Sequence, residues 1–167
     1  LMKKPVLGEQ GQELLHVTKK EQESGQNNAR KFLEEYHGAF GDLIQCAVVP
    51  EGIEQQTEES LVAAKALADE FDVPLRLHAA QGEFEYNYIK DRTGLSSIAY
   101  LDKIGFLGKK TLIPHCLFVS GSPYVEEEGN RDLEILRERG SSVIHCPLVY
   151  ARGGKAMQSF GRFRQQG

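Results

Sequence analysis

Four short, nearly all-apolar runs recur along the chain with helical stretches between them: LIQCAVVP (43–50), PLRLHA (74–79), TLIPHC (111–116) and SVIHCP (142–147). A β-branched run of this length, closed by a turn residue, reads as a strand buried on both faces. Strands that alternate with helices require parallel crossovers, so the pattern predicts an α/β sheet covered by helices on both faces.

The intervening segments carry helix signals. From Ser24 onward, Ala29, Phe32, Leu33 and Tyr36 fall at helical spacing, with Gly38 as the stop. Thr57 can cap a helix whose first turn holds Glu58 and Glu59 and whose inner face is Leu61, Ala64, Ala68 and Phe71. Helical material is expected from Glu83 to Ile104 with a break near Gly94, and again from Glu126 to Arg139 with Gly140 as its stop. A last amphipathic segment runs through Met157, Phe160 and Phe163 to Gly167. Residues 1–23 show little periodicity and read as an irregular lead-in, so the repeating units occupy 24–167. A chain that opens on Leu1 and closes on Gly167, with two apolar sheet edges unprotected, is expected to be one segment of a larger protein.

Composition excludes several function classes. With 167 residues, a formal charge of −4 and scattered Lys and Arg, the chain offers no footprint for nucleic acid or for an anionic membrane surface. No apolar run approaches the ~18 residues that a membrane span needs. Cys46, Cys116 and Cys146 are an odd number of thiols set in apolar runs, which suits buried hydrophobes in a reducing compartment, the cytoplasm by default. The expected partner is a small-molecule substrate, and a homo-oligomer stays open.

Three of the four predicted strands end in histidine: His78, His115 and His145. In a parallel α/β sheet the C-terminal strand ends share one rim, where active sites sit, so these imidazoles are expected to converge. Imidazole on a rigid strand end suits a mononuclear Zn²⁺ or Fe²⁺ site. Each histidine alone reads more simply as a core residue with one satisfied hydrogen bond; the recurrence at matching positions favours the site. His16, in the polar lead-in, and His37, beside Gly38, lack that recurrence, and His37 reads as a helix-end residue. Cys116 and Cys146 follow histidines but lack the short local spacing of a structural zinc site. ARGGK (151–155) lacks the phosphate-loop frame and reads as a flexible rim loop from which Arg152 can meet a substrate. Glu126 to Glu128 read as a solvated first turn.

The stretches PLRLHAAQGE, TLIPHCLFVSGSPYVEEE, LEILRERGSSVIHCP and SFGRFRQQG, in this order and spacing, resemble the amidohydrolase superfamily over residues 44–167. The similarity is to the branch of cytosine deaminase, S-adenosylhomocysteine deaminase, guanine deaminase and the s-triazine chlorohydrolases. It implies a (β/α)₈ TIM barrel, with this chain as strands four to seven. On that resemblance His78 is the strand-five metal ligand and His115 the strand-six histidine that contacts the hydrolytic water, substrate or metal. His145 then ends strand seven, where family members often place a polar residue facing the substrate. The implied chemistry is hydrolysis of a C–N or C–Cl bond of a small nitrogen-containing ring or amide by a metal-activated water. Family deaminases place a proton-transferring Glu three residues after the strand-five histidine; here that position holds Gln81, which can bind a substrate but cannot carry a proton. Glu83 is the nearest substitute, if a turn brings it inward. The remaining metal ligands fall outside this chain on the same resemblance, so the segment alone is expected to be inactive. The alternatives are a non-catalytic small-molecule-binding module, with Gln81 marking loss of the proton shuttle, and a structural half-barrel that needs a partner chain.

Overall fold

A computed structural model describes residues 5–7, 13–15, 18–158 and 160–166. Three strands form a parallel sheet in the order β3 (Leu75–Arg76), β4 (Thr111–Pro114), β5 (Ser142–Ile144), with Leu75 opposite Thr111 and Ile113 opposite Val143. The expected strand at 43–50 contracts to a single parallel bridge between Val48 and Leu75, held because Val48 N–H donates to the Pro74 carbonyl and Arg76 N–H to that of Val48, each at 2.9 Å. Its neighbours Leu43 and Val49 are exposed, so among the described residues this run is paired on one side only. The regular sheet is therefore shorter than the apolar runs predict.

Each unit of the sheet is joined by helices. These are α1 (Lys19–Tyr36), α2 (Ala39–Asp42), α3 (Glu58–Glu70), α4 (Glu83–Thr93), α5 (Ser97–Lys103), α6 (Arg131–Arg139), α7 (Pro147–Ala151) and α8 (Phe160–Gln166). Packing of α1 on α3, of α4 on α5, and of α6 on both α5 and α8 makes one outer layer. Leu75, Leu77 and Ile113 of the sheet are buried in one cluster with Leu61, Ile89, Ile98, Leu101 and Leu133 of the helices. Alternate strand residues point the other way, and of these Arg76, His78 and Leu112 are only half-buried. The described residues thus bury one sheet face well, rather than both as predicted.

The caps explain where the helices begin and end. Thr57 Oγ1 accepts the Ser60 N–H at 3.2 Å, as the sequence predicts for the start of α3. Thr57→Ala is expected to lower stability by about 1 kcal/mol, read by chemical denaturation, with the parallel bridge at Val48 intact. Gly94 and Gly140, at φ +72° and +70°, stop α4 and α6 in the left-handed conformation that glycine takes without strain.

Three expectations are corrected. The lead-in is not irregular throughout: β1 (Pro5–Leu7) pairs antiparallel with β2 (Glu13–Leu15). Moreover, α1 starts at Lys19 because Thr18 and Glu21 form a capping box, Thr18 Oγ1 accepting the Glu21 N–H and the Glu21 carboxylate accepting the Thr18 N–H at 2.8 Å. His16 lies outside the described residues. Finally, α6 begins at Arg131 and not Glu126, since Gly129 adopts φ +86° and Glu127 is drawn away to Tyr86 and Lys90.

Candidate active site

His78 and His115 meet at the C-terminal rim of β3 and β4. The His78 N–H donates to the Glu51 carbonyl at 2.8 Å and the His115 N–H to the Ile144 carbonyl at 2.9 Å, while Ala79 bridges His115 in parallel. Both rings are thereby set just past neighbouring strand ends, and His78 Nδ1 lies 2.8 Å from His115 Nε2. The Arg76 guanidinium, two residues before His78 on the same side of the strand, donates to His78 Nε2 at 3.1 Å. Because a guanidinium can only donate, His78 Nε2 is the acceptor, its Nδ1 carries the proton and donates to His115 Nε2. The remaining proton of neutral His115 then sits on Nδ1, which is buried without a partner. The Tyr150 ring closes the other side, edge-on to His115 at 5.1 Å between centroids.

Both imidazoles are held neutral near pH 7. Burial, aided by the adjacent His78 ring and Arg76 guanidinium, pushes His115 down to about 4. Burial and Arg76 also lower His78, against a weaker opposing pull from Glu51. Neutral imidazole is the form that a transition metal binds, and between these two rings a cation would take the place of the His78 Nδ1 proton. With the His115 proton kept on the orphaned Nδ1, the two facing nitrogens, His78 Nδ1 and His115 Nε2, fit a divalent cation as two of its four donors. Among the described residues no group of three or more His, Cys, Asp and Glu side chains stands together.

The loop that follows His78 is fixed by a residue the sequence analysis passes over. Glu85, on the buried face of α4 and only 2 % exposed, turns its carboxyl back to accept the Ala80 and Gln81 N–H groups at 2.9 and 2.7 Å and the Ser97 hydroxyl at 2.5 Å. It falls four residues before the buried Ile89, so its position on an apolar helix face was the available signal. Ala80 adopts φ +52°, and its carbonyl accepts both the Leu117 and Phe118 N–H groups, tying the loop after His78 to the loop after His115. His115 and Cys116 are themselves at φ +85° and +48°, strained backbone of the kind that collects at functional sites.

Beside this loop lies a rim cleft of about 510 Å³ lined by Glu54, Gln81, Glu83, Glu85, Tyr150 and Lys155. Gln81 is half-buried, its Nε2 3.5 Å from Glu54 Oε1, and its backbone carbonyl accepts the Tyr150 hydroxyl at 3.0 Å. Glu83 is exposed in the first turn of α4. His145 is also exposed, with its ring 5.7 Å from that of Phe160, and does not join the His78–His115 pair. Arg152 is exposed at the end of α7, an element that occupies part of the expected rim loop; 152–154 form the turn after it. His37 is the C-cap of α1, and its Nδ1 accepts the Cys46 N–H at 3.2 Å. Cys46 and Cys116 are buried and Cys146 half-buried, all as free thiols.

The parallel α/β sheet thus carries two neutral imidazoles facing one another at its C-terminal rim, the edge at which the active sites of such sheets lie. The chain belongs to the amidohydrolase family, whose profile matches residues 3–160. It is 30 % identical over 122 residues to a 5′-deoxyadenosine deaminase of Methanothrix thermoacetophila, covering 73 % of this chain and 27 % of that protein. It is 32 % identical over 119 residues to a 5-methylthioadenosine/S-adenosylhomocysteine deaminase of Aquifex aeolicus, covering 71 % of this chain and 25 % of the relative. The chain therefore spans under a third of the length of these relatives. Among solved structures, a zinc complex of atrazine chlorohydrolase from Arthrobacter aurescens superposes with a TM-score of 0.75 at 15 % identity, covering 91 % of this chain and 34 % of the other. The guanine deaminase of E. coli superposes with a TM-score of 0.73 at 19 % identity, covering 91 % and 33 %. These likenesses show the fold, the α/β type of those hydrolases. Among the described residues no helix is long and apolar enough to cross a membrane.

Proposed function

We propose that this chain is the central part of a metal-dependent hydrolytic deaminase, strands four to seven of a (β/α)₈ barrel, acting on the C–N bond of an exocyclic amine on a small nitrogen-containing ring. The observation that carries this reading is the His78–His115 pair, two neutral imidazoles that meet nitrogen to nitrogen from neighbouring strand ends. Family membership and the similarity to adenosine-type deaminases support the reaction class and make adenine nucleosides the first substrates to try.

His78 and His115 would hold the cation, Zn²⁺ or Fe²⁺, together with ligands outside this chain. When bound, it supplies Lewis-acid activation of a water, whose pKa falls from ~15.7 towards ~7. The chain's own residues do the rest. Gln81 presents one donor and one acceptor to a ring edge, held in place because Tyr150 grips its carbonyl and Glu85 its N–H. Tyr150 also walls the pair on one side, which limits water there. Arg76 opposes the site by occupying His78 Nε2 with a positive charge. Arg76→Met is accordingly expected to raise metal affinity by roughly tenfold, the scale of changes next to a ligand, read by competition with a chromogenic chelator.

The deciding experiment is metal analysis of the full-length protein with an ammonia-release assay on 5′-deoxyadenosine, S-adenosylhomocysteine, guanine and a chlorotriazine. The expected result is about one equivalent of Zn or Fe and ammonia from an adenine nucleoside, both lost on chelation. Less than roughly a tenth of an equivalent after metal-replete purification would overturn the reading in favour of a non-catalytic binding module.

A further inference from the structure

Building on that reading, we propose that the Glu54 carboxyl, set in the rim cleft beside the Gln81 amide, is the proton-transfer group of this site. The amide of Gln81 neither takes up nor gives up a proton near neutral pH, so within this chain the role passes to another side chain in the cleft. Three carboxyls line it. Glu83 is exposed in the first turn of α4, and Glu85 has both oxygens committed to the Ala80, Gln81 and Ser97 donors. Glu54 differs from both: its Oε1 is 3.5 Å from Gln81 Nε2, and its Oε2 is shielded from solvent with no hydrogen-bond partner.

The fold places Glu54 there deliberately. It lies in the 3-10 turn Ile53–Gln55, and this turn is tied to the His78 segment by the Ile53 N–H, which donates to the His78 carbonyl at 3.1 Å, and by the parallel bridge of Gly52 to His78. The carboxyl folds back over Gly52, where an added Cβ would come within 2.8 Å of Oε2. A side chain at position 52 would therefore push the carboxyl from its present place. Burial raises the Glu54 carboxyl above its usual range, the direction that suits a group exchanging a proton near neutrality.

The step balances on one proton. A water oxygen bonds to the ring carbon as the π pair of the ring C=N bond moves onto the ring nitrogen, and one of the water's protons passes to Glu54. The π pair then returns, the exocyclic C–N bond breaks with its electron pair on the amine nitrogen, and the same proton moves from Glu54 to that nitrogen, which leaves as ammonia. Glu54 ends as the carboxylate it began as, and the ring keeps the water's oxygen.

The test is a carboxyl swap in the full-length protein. Glu54→Gln is expected to lower kcat by at least about a hundredfold, with metal content and the Kd of a non-hydrolysed substrate analogue unchanged. Adding Gln81→Glu to it should restore kcat to within about tenfold of wild type, because the proton carrier returns at the adjacent position. In ¹³C spectra of Glu-labelled protein, one carboxyl resonance titrating above the usual range should vanish in Glu54→Gln and shift in Gly52→Ala, whether or not substrate turns over. If Glu54→Gln retains kcat to within about threefold, or loses its metal, or is not rescued by the swap, the inference is overturned while an active, metal-loaded wild type leaves the reading above standing. A wild type without metal or turnover overturns both.

Discussion

Replacing His78 by alanine is expected to empty the full-length protein of its metal and to lower turnover by more than about a hundredfold, since removing even a neighbour of a ligand typically costs 10–100-fold. The effect should be this large because the site has so little redundancy. His78 meets His115 nitrogen to nitrogen at 2.8 Å, and no third histidine, cysteine or carboxylate joins them among the described residues. Loss of either ring halves what this chain gives to the site, and a cation that loses one of about four ligands is held far less tightly. The His115 ring would then face a void between Arg76 and Tyr150. His37→Ala is the matched control: its ring serves only the end of α1 through the Cys46 N–H, so metal content should not change. Inductively coupled plasma analysis and steady-state turnover check both variants; a His78→Ala protein that keeps its metal would remove His78 from the ligand set.

How far the amino-acid sequence carries this site depends on which interactions are local. The strand ends were legible because an apolar run followed by histidine is a feature of consecutive residues, and the pairing of His78 with His115 follows from parallel strand order alone. Thr57, Gly94 and Gly140 were legible for the same reason, each acting within a turn of its own helix. The capping box of Thr18 and Glu21 was equally local, and the T-x-x-E spacing was there to be read. The extent of the first strand was not. Its apolar residues give no sign that the described chain pairs it on one side only, a property of the tertiary arrangement.

The remainder of the site depends on side chains that reach across long sequence separations. Arg76 drew no notice within an apolar strand, yet it sets the tautomers of both imidazoles through a single hydrogen bond. Tyr150 reaches the Gln81 carbonyl from α7, a short helix that the sequence analysis did not expect between the fourth strand and the rim loop at 151–155. Glu54 and Gln81 lie 27 positions apart, and nothing in either local sequence announces that they share a cleft. His145 shows the converse: its strand-end pattern matches the other two, but the structure leaves it exposed beside Phe160.

Glu85 should make the protein's stability fall as pH rises through neutrality. Three donors converge on its carboxyl, yet burial outweighs them and pushes it up to about 7 from the usual 4.5. An acid whose native pKa is raised binds its proton more tightly folded than unfolded. The resulting stabilisation is complete below 4.5 and is lost as the pH rises through 7. At 1.36 kcal/mol per pH unit the loss across that window is about 3 kcal/mol. Glu85→Gln, which cannot ionise, should therefore flatten the stability profile between pH 5 and 8 in urea denaturation, although its amide must turn one donor towards a donor already there. Glu85→Ala should cost more at every pH, on the order of 3 kcal/mol or above, because it leaves the Ala80 and Gln81 N–H groups and the Ser97 hydroxyl buried and unpaired at 1–3 kcal/mol each. It should also loosen the site, since Ala80 joins the loops behind His78 and His115 through its carbonyl. A wild-type profile that stays level from pH 5 to 8, with Glu85→Gln parallel to it, would mean that the three donors hold the carboxyl ionised throughout and that its role is purely that of an acceptor.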